Sequence, residues 1–236
     1  MRLDLSGERI MACVAHPDDA ELLCAGTLAR ACIDGAEIAI ACLCRGDRGQ
    51  PDPPIPDLAA RRREEMQQAC DLLQAECFPG FASDGQLADN ADARRAVIDR
   101  LRAFRPTLVI THSPTDYHAD HQATSNIVEA ATWFAASRGH ETTCAPLDTP
   151  PALWFADSIG MLDFTPDLWI DVTPHVELKH DMLRCHASQL ARGEEAGFSP
   201  LEETMKRQYS ARGEQAGVQA AEAFRWSTKW KRIASL

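Results

Sequence analysis

Seven residues, Ala15-His16-Pro17-Asp18-Asp19-Ala20-Glu21, place one imidazole and three carboxylates between an apolar run and an amphipathic one. The run before them, Ile10-Met11-Ala12-Cys13-Val14, reads as a buried strand. The run after them carries Leu22, Ala25, Leu28, Ala29 and Cys32 at helical spacing and stops at Gly35, so a helix is expected over 21–34. Charge concentrated at a strand-to-helix turn is rarely there for packing. In an open α/β sheet the carboxyl ends of the strands are where ligands bind, so this turn is the expected working centre.

The alternation continues along the chain. Strands are expected over 9–14, 37–44, 76–81, 107–111, 152–159 and 168–172, and helices over 58–74, 92–104, 121–136, 176–190 and around 201–215. A loop with four prolines fills 45–57, and the last residues, 220–230, are expected to fold back on the body. Strands separated by helices imply right-handed βαβ units. The fold class is therefore α/β: a single Rossmann-like domain over 1–236, its mainly parallel sheet flanked by helices, with an elaborated C-terminal part. The Thr- and Pro-rich stretch 138–151 is expected to be a mobile loop.

A formal net charge of −11 argues against nucleic acid as a partner, because that needs a basic face. No apolar run is long enough for a membrane span and no leader-like segment is visible, so a cytoplasmic protein with no membrane partner is expected. The nine cysteines are scattered, with no Cys-x-x-Cys pair, as in reduced core cysteines.

A second polar turn, Asp116-Tyr117-His118-Ala119-Asp120-His121, also follows an apolar strand and precedes a helix. In a parallel sheet both turns lie on one edge and can form one site. Two imidazoles and a carboxylate are the ligand set of a hydrolytic zinc ion. His16 and Asp19 from the first turn and His121 from the second are the expected ligands. Asp18 then faces the ion's water as general base, and His118 is placed to stabilise an oxyanion. Asp120 or Asp116 would orient His118 or His121. Glu21, in the first helical turn, supports the helix start. His112 either lines the pocket or is a satisfied histidine at a strand end.

The paired motifs Ala15-His16-Pro17-Asp18-Asp19-x-Glu21 and His118-x-Asp120-His121 resemble those of the PIG-L / LmbE-like zinc-dependent N-deacetylases. Arg62-x-x-Glu65-x-x-x-Ala69, Arg105-Pro106-Thr107-Leu108-Val109, His186-x-Ser188-Gln189 and Ala221-Glu222-Ala223-Phe224 extend the resemblance over nearly the whole chain. It implies Zn²⁺ or another divalent transition metal on His16, Asp19 and His121, Asp18 as base, and His118 at the oxyanion with Asp120 behind it. It also implies that Arg62 holds the substrate and that His186 lies near the site. Arg138, in the 138–151 loop, is a further candidate substrate contact. The implied reaction removes an acetyl or other acyl group from the amide nitrogen of an N-acetylated amino sugar or its conjugate. Some relatives cleave a larger conjugate, and several assemble as homo-oligomers, trimers or hexamers. The sequence departs from the family pattern at Ala20, Gln74 and Tyr117.

Two other readings are weaker. Asp116-x-His118-x-Asp120-His121 lacks the first His of the metallo-β-lactamase motif, and that fold needs strand-rich halves. A nucleotide-binding turn would carry Gly-x-Gly-x-x-Gly, which is absent after the first strand.

Overall fold

The structure is a computed structural model that describes residues 4–194 and 200–229. Its sheet contains β1 (Arg9–Val14), β2 (Glu37–Cys42), β3 (Glu76–Phe78), β4 (Leu108–Thr111), β5 (Ala152–Ala156), β6 (Leu168–Asp171) and β7 (Ala221–Trp226), in the order β3-β2-β1-β4-β5-β7-β6. The first five in that order are mutually parallel, and β7 runs antiparallel to both of its neighbours. This is the Rossmann-like α/β architecture that the alternation implies, with the strand order reversing at β1.

The period-2 pattern of the strands divides the core into two layers. Ile10, Ala12, Val14, Ile38, Ile40 and Ile110 face one side, with α1 (Asp19–Leu23), α2 (Ala25–Asp34), α3 (Leu58–Leu72) and α6 (Val176–Arg184). Met11, Cys13, Ala39, Ala41 and Val109 face the other, with α4 (Ala91–Phe104) and α5 (Ala119–Phe134). Strands covered on both faces read as continuous apolar runs, which is how β1, β2 and β4 appear in the sequence. The remaining helices, α7 (Ala187–Leu190) and α8 (Leu201–Ala216), belong to the C-terminal part. Among the described residues, no helix is long and apolar enough to cross a membrane.

Three expectations change. The C-terminal fold-back is a strand, β7, inserted between β5 and β6; Trp230, the last residue of the expected segment, lies outside the described residues. The helix expected over 176–190 is broken between α6 and α7, where His186 takes non-helical dihedrals. The helix expected over 21–34 is two helices interrupted at Cys24.

The break at Cys24 has a cause in the far half of the chain. The Glu222 carboxylate on β7 accepts the amides of Gly26 and Thr27 at 2.9 and 2.7 Å, capping the start of α2. Lys179 on α6 donates to the carbonyls of Glu21 and Leu22 at 2.7 and 2.9 Å and to Glu222 at 2.6 Å. Lys179 is 0% exposed, so this ion pair bridges the two helices inside the core. The backbone groups freed by the break are thereby satisfied. Gly26 is required there, because an added Cβ would lie 2.7 Å from Cβ of Val172.

Lys179→Met strands the Glu222 charge in the core and is expected to cost about 3 kcal/mol of unfolding free energy, read from a denaturant titration. Adding Glu222→Gln should recover part of that loss. An unchanged midpoint for Lys179→Met would contradict the clamp.

Candidate metal centre

Parallel pairing of β1 with β4 sets Cys13 beside Thr111, so the two polar turns leave the sheet next to each other. They are joined at once: the Ala15 amide donates to Nε2 of His112 at 2.9 Å, and the Thr111 hydroxyl donates to the Cys13 carbonyl at 2.8 Å. Asp19 opens α1 with its carboxylate turned back, accepting the His16 amide at 2.7 Å. That carboxylate is 3% exposed and faces three imidazoles. Its oxygens lie 3.4 Å from Nδ1 of His16, 3.3 Å from Nε2 of His112 and 3.4 Å from Nε2 of His121.

Each of the two expected histidine ligands offers one ring nitrogen to this centre and has the other held by a carboxylate. Nδ1 of His121 lies 3.0 Å from Asp116, and Nε2 of His16 lies 3.1 Å from Asp120. Such pairing fixes the tautomer and aims the free lone pair. Asp120, expected behind His118, therefore directs its carboxylate to His16; its contact with His118 is through its backbone amide, which donates to Nδ1 of His118 at 3.1 Å. This bond caps α5 and leaves the proton of the neutral His118 ring on Nε2, as a donor. The His118 ring lies 5.0 Å from that of His16 and 4.7 Å from that of His121.

Asp18 has φ 120° and ψ −22°, in the region that favours glycine. Two contacts hold it there. Arg62 donates to the Asp18 carboxylate at 2.7 Å, and the same guanidinium nitrogen bonds the Pro17 carbonyl. A buried carboxylate on a strained backbone, next in sequence to a candidate metal ligand, marks Asp18 as a candidate working group.

The charges respond to this crowding. Burial would raise the Asp19 pKa, but the charge of His121 holds it well below the carboxylate range. Burial would lower His121, yet Asp19 and Asp116 bring it up to about 9. Burial opposes a charge on His16 too, and the hydrogen bonds to Asp120 and Asp19 raise it well above 6.5. Burial and the nearby charge of His121 push His112 down to about 4, so it stays neutral. Asp18 is raised by burial in spite of Arg62.

One donor atom from each of His16, Asp19 and His121 lies within 4.8 Å of the other two. The donor set and its buried, carboxylate-rich setting fit a divalent ion. The group His112, Asp116 and His121 is equally compact, but Nε2 of His112 is taken by the Ala15 amide and Nδ1 of His121 by Asp116.

The three expected substrate contacts take different places: Arg62 and His186 lie beside Asp18, and Arg138 lies beyond the far end of α5. Arg62 is 3% exposed and grips the Pro17–Asp18 turn from behind. Gly46 makes room for it, since a Cβ there would meet Cδ of Arg62 at 2.6 Å. His186 is fully buried, with Nε2 3.3 Å from the Glu21 carboxylate. Arg138 is exposed beyond the C-terminal end of α5, whereas His121 lies in the first turn of that helix, about 20 Å from its last residue at the helical rise per residue. The loop that carries it is tied down by Arg102, which donates to the carbonyls of Ala135, Ser137 and His140 at 3.0, 2.7 and 2.7 Å. His112 is the residue whose role the sequence left open. It stacks on His121 at 3.9 Å between centroids and 15° between planes, and it splices the two turns. Its signal in the sequence was its place, directly after β4 and level with the first motif.

The fold and the site together define a doubly wound α/β protein with a histidine–aspartate centre at its topological switch point. Residues 11–132 match the family profile described as PIG-L: GlcNAc-PI de-N-acetylase, and the chain belongs to that family. A relative from Segniliparus rotundus, 1D-myo-inositol 2-acetamido-2-deoxy-alpha-D-glucopyranoside deacetylase, is 27% identical over 185 residues, covering 64% of this chain and 58% of its own length. The chain thus spans less than two thirds of that relative. A 4-oxalmesaconate hydratase of Pseudomonas putida is 24% identical over 184 residues, covering 74% of this chain and 71% of that protein. The solved N,N'-diacetylchitobiose deacetylase of Pyrococcus horikoshii shares the fold, with TM-score 0.82 and 23% identity over 94% of this chain and 84% of that one.

Two outcomes test the centre. His112→Phe keeps the ring stack but loses the acceptor for Ala15, and is expected to weaken metal binding by about 10–100-fold in chelator competition; unchanged affinity would contradict its splicing role. In chelator-stripped protein, His121 has a folded pKa of about 9 against its ordinary 6.5, so its contribution to stability is complete below pH 6.5 and is lost as pH rises through 9. The melting temperature of the stripped protein should fall across that window, whereas metal should stabilise the protein more at its upper end, because binding releases those protons. A stripped protein whose stability rises from pH 6.5 to 9 would contradict the charge assignment.

Proposed function

We propose that the chain is a divalent-metal-dependent N-deacetylase acting on an N-acetylated amino sugar or its conjugate. The observation that carries this reading is the convergence of His16, Asp19 and His121, with the strained Asp18 carboxylate beside them and a ring N–H of His118 opposite. When bound there, a divalent ion, Zn²⁺ by preference for this N/O donor set, supplies Lewis acidity to an amide carbonyl and acidifies a water.

The rest is the work of the chain's own groups. Asp18, its proton affinity raised by burial, takes the proton of the attacking water and returns it to the leaving amine. Arg62 keeps that carboxylate aimed and limits the rise in its pKa. Nε2–H of His118 donates to the oxygen that gains charge as the carbonyl is attacked. Asp116 and Asp120 hold His121 and His16 in their tautomers. Tyr117, 69% exposed, stands at the rim with its ring centroid 6.0 Å from those of His118 and His121.

The family membership and the deacetylase activity of the Segniliparus relative support the acetyl amide as substrate. The reading extends to a cytoplasmic homo-oligomer, a trimer or hexamer. The hydratase relative gives a second reading, in which the same base and ion add water across an activated carbon–carbon double bond. A metallo-β-lactamase-type hydrolase does not suit a parallel doubly wound sheet. An amidase acting on a larger conjugate remains within the proposed chemistry.

The deciding assay supplies zinc-loaded protein with N-acetylglucosaminyl-inositol, diacetylchitobiose and larger N-acyl glucosamine conjugates, and in parallel with 4-oxalmesaconate. Acetate or acyl release is expected; hydration of 4-oxalmesaconate without any acyl release would overturn the deacetylase reading. Asp18→Asn should retain metal and lower kcat by about 10²–10⁴-fold, and His121→Ala should lose metal. Wild-type turnover in Asp18→Asn would remove Asp18 from the base role.

A further inference from the structure

A second set of donors lies on the far side of the His16 ring. Nε2 of His16, the thiol of Cys44 and the carboxylate of Asp120 each bring one donor atom to within 4.8 Å of the others. Nothing in the chemistry above uses Cys44. We propose that His16, Cys44 and Asp120 form a second metal site, selective for thiophilic ions such as Cd²⁺ or excess Zn²⁺, and that its occupation inhibits the enzyme by withdrawing His16 from the catalytic set.

The donors are held by backbone from two neighbouring loops. The Cys44 amide donates to the Ala15 carbonyl at 2.8 Å, fastening the end of β2 to the catalytic turn. Gly80 packs so closely on Cys44 that a Cβ there would lie 1.9 Å from the Cys44 carbonyl oxygen, which fixes the backbone beneath the thiol. The Gly85 amide donates to the Asp120 carboxylate at 2.7 Å, on the oxygen that also faces His16 at 3.1 Å. Cys44 is 0% exposed and Asp120 1% exposed, while the His16 side chain is 13% exposed and forms the way in. At zinc bond lengths, tetrahedral donors stand about 3.5 Å apart, so shifts of about an ångström close this set around an ion and leave a fourth position for water. One nitrogen, one sulfur and one oxygen donor favour Cd²⁺ or Zn²⁺ over Mg²⁺ or Mn²⁺.

The two sites compete through one ring. A neutral imidazole has a single in-plane lone pair. In the catalytic arrangement Nδ1 of His16 faces Asp19, and Nε2–H donates to Asp120. An ion on Nε2 and Cys44 moves the ring proton to Nδ1, and the catalytic set then keeps only Asp19 and His121. On binding, the Cys44 thiol gives up its proton to solvent as the sulfur–metal bond forms. No redox partner is required.

The inhibition arm rests on the catalytic reading proposed above; the binding arm does not. Cadmium is titrated into the zinc-loaded full chain. A thiolate-to-cadmium ultraviolet band is expected, together with loss of activity and a ¹¹³Cd resonance shifted downfield as sulfur ligation requires. Cys44→Ser and Cys44→Ala should remove that band and weaken inhibition by excess Zn²⁺ or Cd²⁺ by at least about tenfold, a loss no smaller than that from removing an outer-shell partner. A band and an inhibition constant that persist unchanged in both variants would overturn the site. So would a ¹¹³Cd spectrum of the unsubstituted chain showing only nitrogen and oxygen ligation, a result independent of how the variants fold. Loss of the band with no deacetylase activity under any condition would leave the site standing and the catalytic reading refuted.

Discussion

The parallel pairing of β1 with β4 is the constraint on which everything else depends. It sets Cys13 beside Thr111. From that register the Ala15 amide reaches His112, His112 stacks under His121, and Asp19 meets imidazoles from both turns. A slip of one residue would send these side chains to opposite faces of the sheet. At the topological switch point, the β1–β4 ladder therefore brings together residues separated by about a hundred positions through backbone hydrogen bonding, before any side chain contributes.

Electrostatics then sharpens the centre. Asp19, Asp116 and Asp120 are all nearly dry, and each is matched by an imidazole. Burying that many carboxylates is unfavourable unless cations share the space. With protons on His16 and His121, two of these three negative charges are offset; a divalent ion offsets as many and frees those protons. Arg62 and Lys179 settle the two ends of the same segment, one clamping Pro17 and Asp18, the other the carbonyls of Glu21 and Leu22. The turn from Pro17 to Leu22 is thus fixed by two buried cations.

Much of this was legible in the sequence, because it follows from local pattern. β1 begins and ends where the apolar run does, and α3, α4 and α5 agree with their periodicity to within two residues or so. The two polar turns were visible as charge at strand ends. What was hidden depends on distant partners. The break at Cys24 is made by Lys179 and Glu222, and β7 becomes a strand because it finds an open edge on β5. Arg62 lies in a run of three arginines, whose sequence does not say which one turns inward; the loop around Gly46 decides it. His186 and Arg138 were placed by resemblance and by loop composition. The helix break before α7 buries the first beside Glu21 and near Asp18, and the length of α5 places the second beyond its far end.

The central claim is that His16, Asp19 and His121 together hold one ion. Crystals of the protein loaded with a single equivalent of zinc, measured at the zinc absorption edge, test it most directly. One dominant anomalous peak is expected within bonding distance of Nδ1 of His16, a carboxylate oxygen of Asp19 and Nε2 of His121. A dominant peak among His112, Asp116 and His121, or one that leaves Asp19 unligated, would contradict it.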